Sequence, residues 1–197
     1  MKKSVNVEAQ KSTIDRVRIA SVTLMFERGY HGTSMRDVAS EVGIQMSSLY
    51  HYFPSKQSLL FDIMNRTMDE LIQLGKVSMT VETDPKKKII SGIKTHIAYH
   101  AERRMENYIT DTELRSLESK ERAQIVRKRD EYSSFFRDAI EDGQSRGIFR
   151  SSDVSVTLVA LFGMINAIPS WYKPSGRMKL DEIATEIANI FIDGIEC

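Results

Sequence analysis

The chain has 197 residues, of which 41% are hydrophobic and 28% charged, and a formal net charge of +1. That length and balance suit a soluble globular protein with a sizeable core and exclude a disordered or fibrous one. A single cysteine, Cys197, rules out a disulfide framework, a cysteine metal cluster and a thiol nucleophile held within a fold, and it suits a reducing, cytoplasmic setting.

Charge is unevenly spread. Residues 1–56 hold eight Lys and Arg against five Asp and Glu, while the remainder is slightly acidic, which suits a DNA-binding head on a neutral body. Lys2 and Lys3 are followed by no apolar stretch, so no secretory signal is expected.

Helical periodicity dominates and no alternating run suggests a sheet, so the fold class is all-α. A first helix is expected after Ser12 or Thr13 as N-cap, with Ile14, Val17, Ala20, Leu24 and Met25 on one face, stopping at Gly29. A second opens at Ser34, with Asp37 completing a capping-box pair, and ends at Gly43. A third, short helix covers about Met46 to Tyr52 before Pro54 breaks it. Ser55 caps the next, which runs through Leu59, Leu60, Ile63, Met64, Met68, Leu71 and Ile72, leaving Gly75 to Asp84 as a connection.

Asp84 and Pro85 then open a helix carrying Ile89, Ile90, Ile93 and Ile97, fading near Arg103 or Arg104. Glu106 to Arg146 reads as two helices divided near Leu117 to Ser119, with Gly143 and Gly147 marking a frayed end. Asp153 caps a very apolar helix up to Ile168. Its window contains Ser155, Thr157, Asn166, Pro169 and Ser170, so it is expected to be a helix buried on several sides and not a membrane span. Pro169, Pro174 and Gly176 form a loop, and a last helix carries Leu180, Ile183, Ala184, Ile187, Ala188 and Phe191.

Within Met35 to Phe53, Ala39 is a small residue where two helices cross, Gly43 tolerates positive φ in the turn, and Leu49 faces back on the first helix. Val38, Val42, Ile44 and Tyr52 fill the other inward positions. Tyr50, two residues from Tyr52, is then on the surface. Spacing alone suits a DNA-binding helix-turn-helix and also a plain helical hairpin.

The stretch from Phe26 to Ala39, followed by Gly43-Ile44 and by Ser48 to Lys56, closely resembles the N-terminal domain of the TetR family of repressors. The resemblance implies a division into a helix-turn-helix domain at 1–56 and a helical ligand-binding and dimerisation domain at 57–197. It further implies a homodimer that reads palindromic operator DNA with the second helix of the motif in the major groove. By matching positions, Gln45, Met46, Ser47 and Ser48 face base edges, while Tyr50, His51 and Lys56, with Thr33 and Ser34, contact the backbone. Hydroxyls, a lysine and helix N-termini suit phosphates on their own chemistry, although Lys56 also reads as an ordinary solvated lysine. Members often carry Ser or Thr, Lys and Gly where this chain has Gln45, Met46 and Ser47, so the resemblance does not reach the operator sequence.

In the body, the resemblance pairs the helices at 153–168 and 180–195 with their counterparts in a second subunit. Glu113 to Leu117, Arg129 to Tyr132, Gly147 to Phe149, Gly163 to Asn166 and Trp171 to Arg177 resemble the branch that regulates fatty-acid and steroid-ring catabolism in response to acyl-CoA thioesters. The candidate effector-binding residues are His96, His100, Arg103, Tyr108, Glu113, Phe136, Met164, Asn166, Trp171 and Arg177. An apolar tunnel would take an acyl chain, and Arg103, Arg104, Lys173, Arg177 or Trp171 would meet phosphates and adenine. Trp171 and Tyr172 equally read as a plug over the core.

His96 and His100 are one turn apart, with Glu102 or Glu113 nearby in sequence, but no recognised metal spacing completes them, so neither metal nor cofactor is expected. No phosphate loop, His-Glu-x-x-His or nucleophile elbow appears, and the chain does not read as an enzyme. The alternatives are an efflux-type repressor answering hydrophobic or cationic drugs, and an adaptor that binds only protein.

Overall fold

The computed structural model describes the backbone of residues 2–197 and side chains from residue 12 onward. Helices account for the regular structure of the described residues apart from an isolated antiparallel bridge between Phe149 and Glu196. The chain divides into two compact units, residues 1–67 with 105–125 and residues 68–104 with 126–197.

The first unit begins with α1 (Lys2–Gly32), α2 (Met35–Val42) and α3 (Met46–Tyr52). α1 starts well before its expected cap, and Ser12 and Thr13 lie inside it; no Gly or Pro in 2–11 interrupts it. The expected stop at Gly29 is a real break, with φ 74° inside the assigned helix. Val17, Ala20, Leu24 and Met25 are buried. α4 (Lys56–Thr80) contributes Leu59, Leu60, Ile63 and Met64 to the same core. α6 (Arg104–Thr112), a 3₁₀ turn over Leu114–Ser116 and the start of α7 (Ser119–Ser145) complete the unit through Ile109, Leu117 and Ile125.

The second unit holds the rest of α4 and α7 with α5 (Pro85–Glu102), α8 (Val154–Asn166), α9 (Ile168–Trp171) and α10 (Leu180–Ile195). Asp84 caps α5 by accepting from Lys87 N at 3.1 Å, and Asp153 caps α8 by accepting from Val156 N at 2.9 Å. α5 packs on α8, α9 and α10, burying Ile89, Ile93 and Ile97.

Two glycines expected at helix ends lie within helices. α4 continues through Gly75, where an added Cβ would stand 2.6 Å from Cε2 of Tyr132. α7 continues through Gly143, where a Cβ would stand 2.0 Å from Cδ2 of Phe149. Both are small because an aromatic ring lies on them, not because the chain turns. The loop expected after Ile168 begins as a short helix instead, with Pro169 in its first turn, where a missing N–H costs nothing.

The apolar window at 154–171 is long and apolar enough to cross a membrane by length and composition, and only 22% of it is buried. It is two helices, α8 and α9, joined at Ala167. Within this chain it is not buried on several sides: Val156 and Val159 are 67% and 75% exposed, and on α10 Ile190 is 57% exposed, so the expected cover does not come from the chain's own helices.

Candidate nucleic-acid interface and effector site

The helix-turn-helix is held by short-range bonds. Ser34 Oγ accepts from Asp37 N at 3.2 Å and donates to Asp37 Oδ2 at 2.5 Å, while Ser34 N donates to the same carboxylate oxygen at 2.8 Å. These bonds, the hydroxyl's first, hold the Asp37 carboxyl below its usual range. Gly43 ends α2 in the left-handed region (φ 71°, ψ 40°), its N–H directed at the carbonyls of Ala39 and Ser40. A side chain there would be strained whatever the space. Met35, Val38, Ala39 and Val42 are buried from α2, and the fully buried Leu49 fixes α3 on it.

With Leu49 inward, α3 turns a polar row outward. Gln45 is its N-cap residue but makes no side-chain cap bond, so its amide is not spent on the helix. Gln45, Ser47 and Ser48 are exposed and Met46 is half-buried. Tyr50 is 47% exposed, His51 is exposed against the edge of Tyr52, and Tyr52 is half-buried. Arg28 and Arg36, absent from the candidates, are also exposed near the start of α2.

Besides Ser34, two more backbone-contact candidates have structural partners. Thr33 is buried; its Oγ1 donates to Gly29 O at 3.0 Å and its N–H to Tyr30 O at 3.2 Å. Lys56 Nζ donates to Tyr30 O and Thr33 O, both at 2.9 Å, and lies 4.3 Å from the centre of the Tyr30 ring. It therefore braces the α1–α2 corner, a role invisible in its local sequence. Glu113 and Tyr108 belong to this same unit. Glu113 accepts from Ser116 Oγ at 2.8 Å, and Tyr108, half exposed, meets Phe26 edge to face at 5.2 Å. Burial first, then the charges of Glu113 and Glu121, push the Tyr30 hydroxyl up.

The body brings four of the effector candidates together. His96 and His100 stack on α5 with ring centres 3.9 Å apart. His96 Nε2 lies 2.9 Å from Asn166 Oδ1, and its Nδ1 lies 3.2 Å from Tyr132 Oη. With Asn166 presenting its carbonyl oxygen, Nε2–H donates to it and Nδ1 accepts from the Tyr132 hydroxyl. Phe136 and Phe162 close round this chain, their centres 5.5 Å apart. His96 is held well below its usual range by burial, then by His100, with the Asn166 bond opposing. Burial alone lowers His100 to about 4 and pushes the Tyr132 hydroxyl up. His100 Nε2 is buried with no hydrogen-bond partner.

Trp171 and Arg177 lie elsewhere in this unit, in an open concavity of about 440 Å³ with Tyr172, Lys173, Ile183 and Ile187. Gly176 shapes its loop: a Cβ there would meet Lys173 O at 2.9 Å. Arg103 pairs with Glu70 at 3.8 Å, and Met164 is half-buried on α8. Among the described residues no group of three His, Cys, Asp or Glu is placed to hold a metal ion. Tyr132 and Phe162 were not among the candidates. Tyr132 ends a stretch that carries the resemblance and Phe162 has only helical phase to indicate it, and neither signal says which neighbour a ring meets.

Residues 19–63 match the family described as bacterial regulatory proteins, tetR family, and residues 82–195 match the tetracyclin repressor-like C-terminal domain. The transcriptional repressor KstR2 of Rhodococcus jostii is 28% identical over 89% of this chain and 87% of its own length. The fatty acid metabolism regulator protein of Bacillus subtilis is 22% identical over 89% of this chain and 92% of its own. Among solved structures, AibR in complex with isovaleryl coenzyme A and operator DNA superposes with a TM-score of 0.83 at 26% identity, covering 90% of this chain and 97% of that one.

Proposed function

Since the chain belongs to the TetR family of bacterial regulatory proteins, we propose that it is a cytoplasmic repressor that holds a palindromic operator as a homodimer until an acyl-CoA thioester enters its body. A member of this family is a DNA-binding transcriptional regulator and not an enzyme. The observation that carries the reading is the outward row on α3: Gln45, Ser47 and Ser48 stand exposed opposite a fully buried Leu49. That is how a recognition helix presents itself to base edges.

In this reading residues 1–56 bind DNA and 57–197 bind ligand and partner. Gln45, Met46, Ser47 and Ser48 face the major groove, Tyr50 and His51 meet phosphates, and Ser34 meets one by turning its hydroxyl hydrogen from Asp37 to the DNA. Lys56 adds the one ammonium hydrogen left over from its two carbonyls, and Thr33 supports Ser34 from beneath. α8 and α10 pair with their copies, covering the apolar faces around Val156, Val159 and Ile190. The acyl-CoA assignment is supported by the similarity to AibR, solved with isovaleryl coenzyme A, and to a fatty acid metabolism regulator. Lys173, Arg177 and Trp171 then offer cations and a ring to phosphates and adenine. The ligand must bind the released form more tightly than the DNA-bound form, because equal affinity shifts nothing.

Selecting DNA fragments with the purified protein tests the first half. A palindrome is expected, and Gln45→Ala should relax preference at one position of each half-site by about 1–3 kcal/mol. An unchanged motif would remove Gln45 from base reading. Titrating acyl-CoA thioesters, free acids and planar cationic drugs into the operator complex tests the second. Release by the drugs alone would make this an efflux-type repressor.

A further inference from the structure

We propose that the effector buries a neutral oxygen, a carbonyl or hydroxyl on an otherwise apolar body, against His100 Nε2 beside the His96–Tyr132–Asn166 chain. This rests on the reading that the second unit binds a small molecule, and it names the chemistry of the end that goes inside.

The cluster has polar atoms in two conditions. Both ring nitrogens of His96 are engaged, one by Asn166 Oδ1 and one by Tyr132 Oη. His100, stacked on that ring and 5% exposed, has a buried Nε2 that bonds to nothing. A buried polar nitrogen left unpaired is costly, and an unpaired one beside a fully engaged neighbour is the natural seat for a group from outside. Phe162 meets the neighbouring His96 ring edge to face at 5.9 Å and Phe136 packs on Phe162, so the cluster that His100 stacks on is apolar on that side.

The charge state of the site selects the class of ligand. The shift of His100 comes from burial alone, and that of His96 from burial, His100 and Asn166, so neither carboxylate nor cation figures among the causes. Both rings are neutral near pH 7. A carboxylate or an ammonium placed there would lose its water with no opposite charge to meet it. A neutral oxygen has no such penalty. If Nε2 carries the hydrogen it donates to a ketone, ester or thioester carbonyl, and if it carries the lone pair it accepts from a hydroxyl. The site therefore distinguishes a thioester from the free acid it hydrolyses to, even before any contact with the rest of a coenzyme.

The test uses the full chain without DNA and five probes of equal chain length: decan-2-one, decan-1-ol, S-methyl decanethioate, decanoate and decylammonium. Dissociation constants are measured by calorimetry on wild type, His100→Phe and His100→Gln, with the melting temperature of each variant as a folding control. The ketone and thioester, or the alcohol if Nε2 carries the lone pair, are expected to bind wild type at least tenfold tighter than either ion. His100→Phe, which keeps a ring to stack on His96, should lose roughly tenfold for the neutral probes, and His100→Gln, which restores a hydrogen-bonding group, should recover most of it. If His100→Phe does not fold, His100→Leu replaces it.

Equal or tighter binding of decanoate would overturn the proposal, as would a His100→Phe protein that binds the neutral probes unchanged because a resident water completes Nε2. Binding of no probe would overturn it too. Operator binding and acyl-CoA release, measured on the same preparations, report separately on the reading it rests on.

Discussion

The bonds that shape the turn of the helix-turn-helix join residues three or four apart, Ser34 with Asp37 and Gly43 with Ala39 and Ser40, with Lys56 bracing the corner before it from 23 and 26 positions away. Those that shape the body's polar cluster join residues far apart, His96 reaching Tyr132 across 36 positions and Asn166 across 70. The first arrangement needs only a short piece of chain in the right conformation. The second requires α5, α7 and α8 to be in place together, and its histidines have no counterions to tolerate a change of charge. The two regions should therefore fail under different insults, a cut in the local packing for one and a proton for the other.

The largest effect is expected where local structure depends on one long-range anchor. Leu49 is fully buried and is the apolar residue that seats α3, so Leu49→Ala should cost about 2–5 kcal/mol and abolish operator binding. Calorimetric melting and a mobility shift give the two readouts. If the regions differ as described, the imidazole NMR signals of His96 and His100 should keep their positions at temperatures where the mutant no longer binds DNA. Their simultaneous loss would show one cooperative molecule and remove the contrast.

Acid should discriminate the other way. His100 titrates at about 4 in the folded chain against an ordinary value near 6.5, so below pH 6.5 the unfolded chain takes up a proton that the folded chain refuses. Stability from this residue is complete above pH 6.5 and falls as the pH drops toward 4, by about 2 kcal/mol at pH 5. His96 shifts in the same direction and adds to the loss. Tyr132 and Asn166, which bond His96, are neutral throughout this range, and no carboxylate figures in the shift of either histidine to offer compensation. Unfolding midpoints at pH 7 and pH 5 measure the effect, and His100→Phe should shrink it; an unchanged slope in that variant would show the loss to come from elsewhere.

The same contrast explains what could be read from sequence. Ser34 with Asp37, Gly43, Pro54, Asp84 with Pro85, and Asp153 mark helix ends by chemistry confined to a few residues, and the helices begin and end there. The all-α class followed from periodicity in the same way. Gly75 and Gly143 carry the same letter as Gly43 but serve a ring from a distant residue, which no local pattern reveals. The apolar run of α8 signalled a need for cover, the resemblance named a second subunit as its source, and this chain by itself leaves much of the run open. In the candidate site, His96 and His100 could be noticed as a pair one turn apart, whereas Tyr132 and Phe162 become visible only when α7 and α8 are packed on α5. Glu113, at the head of a stretch that resembles the acyl-CoA-responsive branch, and Tyr108 were both candidates for effector binding, and their packing puts them in the other unit.

The smallest predicted effects lie inside the DNA-binding head and separate two residues that sequence treats alike. Tyr50 projects from α3 nearly half exposed, so Tyr50→Ala should leave the melting temperature unchanged while weakening binding to all operators by about 1 kcal/mol. Lys56 is different because its ammonium already joins two carbonyls of the α1–α2 corner and lies over the Tyr30 ring. Lys56→Ala should lose about 1 kcal/mol of stability in the free protein as well as weakening DNA binding without regard to sequence. The salt dependence of binding then gives the deciding measurement. If Lys56 also meets a phosphate, its removal should lower the slope of log affinity against log salt by about 1 for each phosphate it neutralises, whereas Tyr50→Ala, which removes no charge, should leave that slope unchanged. A stability loss with no change in slope would assign Lys56 to the corner alone, and the backbone contact would then fall to Ser34, Tyr50 and His51.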